Sequence, residues 1–234
     1  MDLLILSLAP VFIISVYIYL RDKYDKEPLR LLALALLAGA VIVIPVLVIE
    51  SFLSNFATLF KGLAVAAWNA FVVAAFSEEL MKYAALYLLI WNRREFNEKF
   101  DGIVYAVYIS LGFAAVENIL YVTGSGLNTG VVRALTAVPA HAIFGITMGF
   151  YFGMAKFYES ERSSLKMKAL IYPIILHGIY DFILFTGYEW IIIIFIGFLV
   201  FLYVWGLKKM KSLSSQSIYN SDFDLLNEKF SKPV

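Results

Sequence analysis

Seven runs of apolar residues, joined by short polar connections, leave this chain few ways to fold. They cover residues 3–20, 29–49, 63–90, 103–122, 134–157, 169–186 and 190–207. About 20 apolar residues cross a bilayer as a helix. The third run, at 1.5 Å per residue, reaches about 42 Å and must tilt or protrude. Composition agrees with lipid as the solvent. The chain is 62% hydrophobic and 16% charged, against about 45–50% and about 25% in soluble domains. The expected fold class is all-α, a polytopic bundle of seven membrane helices. Residues 1–210 form one transmembrane domain and 211–234 a polar tail with a short helix over 224–230. Asp2 precedes the first run without a basic region or a small-residue cleavage site. That run therefore reads as a retained helix rather than a signal peptide.

The basic residues orient the bundle. Sixteen of the Lys and Arg residues fall on the side reached after the first, third, fifth and seventh runs, and only Lys61 and Arg133 on the other. The positive-inside rule then puts the N-terminus outside and the tail in the cytoplasm of a multi-pass cell-membrane protein. A net charge of +1 offers nucleic acid no basic face. Without cysteine there are no disulfides, thiolate metal sites or cysteine nucleophiles.

Ionisable residues inside a membrane are expensive and are expected to face the bundle interior with partners. Here they are Glu78, Glu79, Lys82, Glu117, His141, His177 and Asp181. All belong to the third to sixth runs, which marks residues 63–187 as a working core and leaves three supporting helices. Glu78 and Lys82 share a helix face at a spacing of four, as do His177 and Asp181. Counted at 1.5 Å per residue, all the groups lie between the midplane and the outer boundary. Gly145, Gly149 and Gly153 form a small-residue stripe suited to close helix packing, and His141 extends it by one step. Glu50 and Glu189 sit at helix ends and read as solvated. The plainer readings stand beside these. A Glu–Lys pair at this spacing can be a satisfied ion pair, a membrane histidine an interhelical hydrogen bonder, and Asn118 helix glue.

Taken in order, these residues resemble a known family. Ser77-Glu78-Glu79-Leu80-Met81-Lys82 looks like the EExxK motif of the PrsW-type membrane proteases, and Phe113 to Glu117-Asn118 like their FxxxEN motif. His141 with Gly145 fits the third motif, His177 to Asp181 is similar to HxxxD, and Asp25-Lys26-Glu27-Pro28 is also typical. The likeness runs from about residue 20 to 190, and extends more distantly to the type II CAAX prenyl endopeptidases and Abi-like membrane proteins. That wider group often has a histidine where this chain has Glu117-Asn118.

The resemblance implies an endopeptidase acting on a membrane-anchored protein, in some relatives an anti-sigma factor cut near its outer side. The implied site is Glu78, Glu79, Lys82, Glu117, Asn118, His141, His177 and Asp181. Peptide hydrolysis needs an activated water and oxyanion stabilisation. Glu78 is the expected base, Asp181 orients His177 or joins the ligands, and Asn118 holds the peptide backbone. Two versions stay open. In one, His141, His177 and Glu117 bind zinc with a position left for water. In the other, the carboxylates act without metal. No HExxH is present. Two readings from other classes also stay open: an ion- or proton-coupled carrier, and a non-catalytic binding or immunity protein.

Overall fold

The computed structural model describes residues 2–215. It is helical, with no strand among the described residues, and seven of its helical segments are long and apolar enough to cross a membrane. The first span is α1 (Asp2–Arg21). The second joins α2 (Leu29–Val41), α3 (Val43–Ser54) and a 3-10 turn (Asn55–Leu59). The third joins α4 (Leu63–Ala67), a π-helical stretch (Trp68–Phe76) and α5 (Ser77–Ile90). The fourth is α6 (Lys99–Ser125). The fifth joins α7 (Leu127–Leu135) and α8 (Ala137–Phe157). The last two are α9 (Arg162–Phe185) and α10 (Ile192–Ser214).

The breaks have local causes. Proline lacks an N–H and its ring clashes with the carbonyl four residues earlier. Pro45 accordingly lies just past the α2–α3 junction at Ile42, and Pro139 just past the α7–α8 junction at Thr136. The start of α6 is fixed by Asp101, whose Oδ2 accepts the backbone N–H groups of Asn97 at 2.9 Å and Glu98 at 2.6 Å. This is a capping box with Glu98 as the first member.

Burial ranks the spans. In α6 78% of an 18-residue apolar stretch is buried and in the α7–α8 span 61%, against 17–33% elsewhere. The axis of the bundle is therefore the α6–α8 pair, with α9, α2 and α1 packed around it. Small residues let the axis close. A Cβ on Gly149 of α8 would lie 2.2 Å from the Gly102 carbonyl oxygen of α6. A Cβ on Gly39 of α2 would lie 1.9 Å from the Ile109 carbonyl oxygen, on the other side of α6. The stripe expected to pack helices does so, and it carries His141 into the same interface, where it is buried.

Three expectations change. The second span continues to Leu59, so Glu50 lies inside it rather than at its end. The fifth begins seven residues early with α7, which takes Arg133 out of the outer loop and onto a helix. Finally, α10 runs to Ser214, into the segment expected to start the loose tail. The helix expected over 224–230 lies outside the described residues.

Candidate active site

Four spans converge on one cluster. From α5, Lys82 donates to Glu78 Oε2 and Glu79 Oε1, each at 2.9 Å, and its Nζ lies 3.2 Å from His141 Nδ1 of α8. His177 Nδ1 of α9 lies 3.0 Å from Glu79 Oε1 and 4.0 Å from Glu78 Oε2. Glu79 and Lys82 are fully buried, and Glu78, His141 and His177 no more than 5% exposed. Aromatic rings complete the walls. Phe144 stacks on His177 with centroids 4.8 Å apart, and the Lys82 ammonium sits 4.1 Å from the Phe113 ring centre.

The far nitrogens of both imidazoles are held from outside. His141 Nε2 meets Glu117 Oε2 at 2.8 Å, and His177 Nε2 meets Asp181 Oδ2 at 3.2 Å. A neutral imidazole donates through one nitrogen and accepts through the other. An ammonium can only donate, so Lys82 makes His141 Nδ1 the acceptor and puts the proton on Nε2, toward Glu117. His177 differs, because carboxylates face both of its nitrogens, so Nδ1 donates to Glu79 and Nε2 to Asp181. Both Nδ1 atoms turn toward the α5 cluster, that of His141 to Lys82 and that of His177 to Glu79. A carboxylate behind the distal nitrogen of each ring is how metal-ligating histidines are commonly oriented.

A donor atom from each of Glu78, Glu79, His141 and His177 lies within 4.8 Å of the others. Glu79 Oε2 is buried without a hydrogen-bond partner. Two imidazoles, two carboxylates and a free buried oxygen suit a divalent metal. Lys82 stands among the same donors, so a metal there would share the two carboxylates with its ammonium.

Glu117, expected as the carboxylate ligand, is placed differently. Its Oε2 also takes Arg133 Nη2 at 2.8 Å, and it backs His141 instead of sharing a point with both rings. Asn118, expected to meet the substrate backbone, turns away. It donates to the Ser7 carbonyl of α1 at 2.9 Å and accepts from Arg133 Nε at 3.0 Å, which fits the helix-glue reading.

A cavity of about 970 Å³ opens onto the cluster. Glu78, Glu117, His141, His177 and Asp181 line it, with Val43, Val46, Phe113 and Phe144 among the apolar walls. Glu79, Lys82 and Asn118 stand behind the lining. Two lining residues escaped the sequence reading, Glu50 and Arg133. Arg133 did leave a signal, since a basic residue on the side otherwise almost free of them asks for a partner. Glu50 left a weaker one, an acid within one turn of an apolar run.

Comparison with known proteins bears on this cavity. A family model described as PrsW family intramembrane metalloprotease matches residues 27–207. Three curated proteins, each named Protease PrsW, are similar over most of the chain. One from Geobacillus kaustophilus is 38% identical over 79% of this chain and 80% of its own length. One from Bacillus subtilis is 37% identical over 89% and 94%, and one from Clostridioides difficile 35% identical over 93% of each. No solved structure matches.

Proposed function

This chain belongs to the PrsW family of intramembrane metalloproteases, and we propose that its catalytic centre is the four-span cluster in which Glu78 activates water. It is a multi-pass membrane protein and a protease. The observation that carries the proposal is the paired arrangement of the histidines. Each Nδ1 turns inward to the Glu78–Glu79–Lys82 cluster, and each Nε2 is held by its own carboxylate.

Glu79, His141 and His177 would hold the metal, with zinc the choice that suits imidazole and carboxylate donors. Bound there, it would supply Lewis acidity to the scissile carbonyl and a water of lowered pKa. The protein's own groups do the rest. Glu78 is the member of the glutamate pair that reaches the cavity, so it takes the proton of the attacking water and returns it to the leaving amine. Lys82 pins both carboxylates and keeps their charges from repelling. Asp181 and Glu117 fix the tautomers of His177 and His141, and Arg133 holds Glu117 in place. Asn118 ties this assembly to α1.

The substrate is a membrane-anchored protein, cut in the part of its span nearer the 55–62 turn. By the basic-residue asymmetry that side is the outer one, which suits a single-span protein of the anti-sigma-factor kind. The carrier and scaffold readings have no observation of their own behind them.

Elemental analysis of the purified chain tests the metal assignment. About one zinc per chain is expected, lost together with peptide cleavage in His141→Gln and His177→Gln and retained in Glu78→Gln. Cleavage that survives complete chelation, with no metal bound, would overturn the zinc version and leave the carboxylates and Lys82 as the machinery.

A further inference from the structure

We infer that Glu50 selects the substrate, by pairing with a lysine or arginine side chain on the substrate segment between the cleaved bond and the membrane surface at the 55–62 turn. The inference rests on the protease reading above and concerns which proteins the cavity admits.

Four carboxylates line the cavity: Glu50, Glu78, Glu117 and Asp181. Three are matched. Glu78 takes the Lys82 ammonium, Glu117 takes Arg133 and His141, and Asp181 takes His177. Glu50 forms no hydrogen bond or ion pair among the described residues. Nor, among the described residues that line the cavity, is a cation left over for it. Arg133, the one basic residue in the lining, is already bound to Glu117 and Asn118. Lys82 is buried behind Glu78. The charges that bear on Glu50 are the carboxylates of Glu78 and Glu117 and, more weakly, His177 and Lys82, and both of those cationic groups are already bound to carboxylates, so Glu50 is left to attract positive charge.

Its setting is otherwise apolar. Val43, Val46, Leu47, Glu50 and Ser54 recur at helical spacing and turn one face of α3 to the cavity. Glu50 is half-buried, so only water in the open cavity can solvate its carboxylate. A substrate segment that fills the cavity displaces the water, and an unpaired carboxylate in low dielectric is then costly. A basic substrate side chain removes the cost. A neutral one leaves it standing, and an acidic one adds repulsion. The position also sets the register. Glu50 is one turn from the end of α3, whereas Glu78 lies about four turns into the next span. The selected residue therefore lies on the 55–62 side of the bond that Glu78 attacks.

The test uses the full chain in proteoliposomes and synthetic single-span peptides that differ at one residue. Lys, Gln or Glu is placed in turn at each position on that side of the cut. At one register the Lys peptide should exceed the Gln peptide about tenfold in kcat/KM, mainly through KM, with the Glu peptide slowest. Glu50→Gln should bring the Lys-to-Gln ratio to about one, and Glu50→Lys should reverse the order in favour of Glu. A ratio near one at every register in the wild-type chain overturns the inference, as does a preference that survives Glu50→Gln. A uniform loss of kcat in Glu50→Gln with the ratio intact also overturns it, and would make Glu50 a proton donor instead. Photocrosslinking of the same peptides reads binding alone. Charge-selective crosslinking without cleavage of any peptide would sink the protease reading while leaving the Glu50 pairing in place.

Discussion

At His141 and His177 the two nitrogens of one ring do different work. Nε2 meets a carboxylate that fixes the ring, whereas Nδ1 meets Lys82 in His141 and Glu79 in His177. Spacing alone made His177 and Asp181 neighbours, and that pairing was legible in the sequence. The pairing of His141 with Glu117 joins residues 24 apart on different spans, and no local pattern announces it. Lys82 is the residue on which the pair of glutamates most depends. Among the described residues its ammonium is the only group that bonds both of them and His141. Lys82→Met should leave buried carboxylates without their cation and destabilise the fold by about 3–5 kcal/mol. A drop in the thermal unfolding midpoint in detergent checks this. Glu78→Gln, which keeps a hydrogen-bond acceptor for Lys82, should be much milder in the same measurement.

Among the elements, the α6–α8 pair sets how accurately the site is built. Gly149→Ala places a Cβ against the Gly102 carbonyl, so the helices must separate. We expect a loss of about 1–3 kcal/mol, and with it slower cleavage, because His141 rides on α8 two turns away. Unfolding and cleavage measured on the same preparation should fall together. The connection between α1 and α2 is a second support. Glu27 accepts from the Tyr105 hydroxyl of α6, Asp22 Oδ2 accepts the Glu27 backbone N–H at 3.0 Å, and Asn97 donates to Asp25 at 2.9 Å. The Asp25-Lys26-Glu27-Pro28 motif is thus a staple at the far end of the bundle from the cavity. Burial pushes the Glu27 carboxyl up to about 7 and the Asp22 carboxyl up to about 6. The folded chain holds these protons after the unfolded chain has released them. Their stabilising contribution is therefore complete below about pH 4 and is lost as pH rises through 6 and 7. Unfolding midpoints between pH 5 and 8 should fall with rising pH, and the Glu27→Gln variant should show a flatter profile. The π-helical stretch explains what an ideal helical wheel cannot give. Its wide turns shift the phase of everything after Trp68, so which of Glu78 and Glu79 faces the cavity does not follow from counting residues along the third span.

For the whole molecule, the number of spans and the residues brought together were legible because apolar length and membrane cost leave few alternatives. Less legible were the contributions of the second and fifth spans. Glu50 and α7 lie where apolar runs fade, and length rules place such ends poorly. The basic residues predict an orientation with the N-terminus outside, and the absence of cysteine makes it simple to check. An impermeant maleimide applied to intact cells should label Lys61→Cys and spare Arg93→Cys, both exposed positions; the opposite pattern would invert the bundle. All of the chemistry proposed here depends on one carboxylate meeting water in the cavity. The most direct test is the cleavage rate of a single-span reporter in proteoliposomes, wild type against Glu78→Gln, with folding verified by an unchanged unfolding midpoint. If Glu78 activates the water, the rate should fall by at least about a hundredfold. A Glu78→Gln chain that cuts within about threefold of the wild type would contradict it.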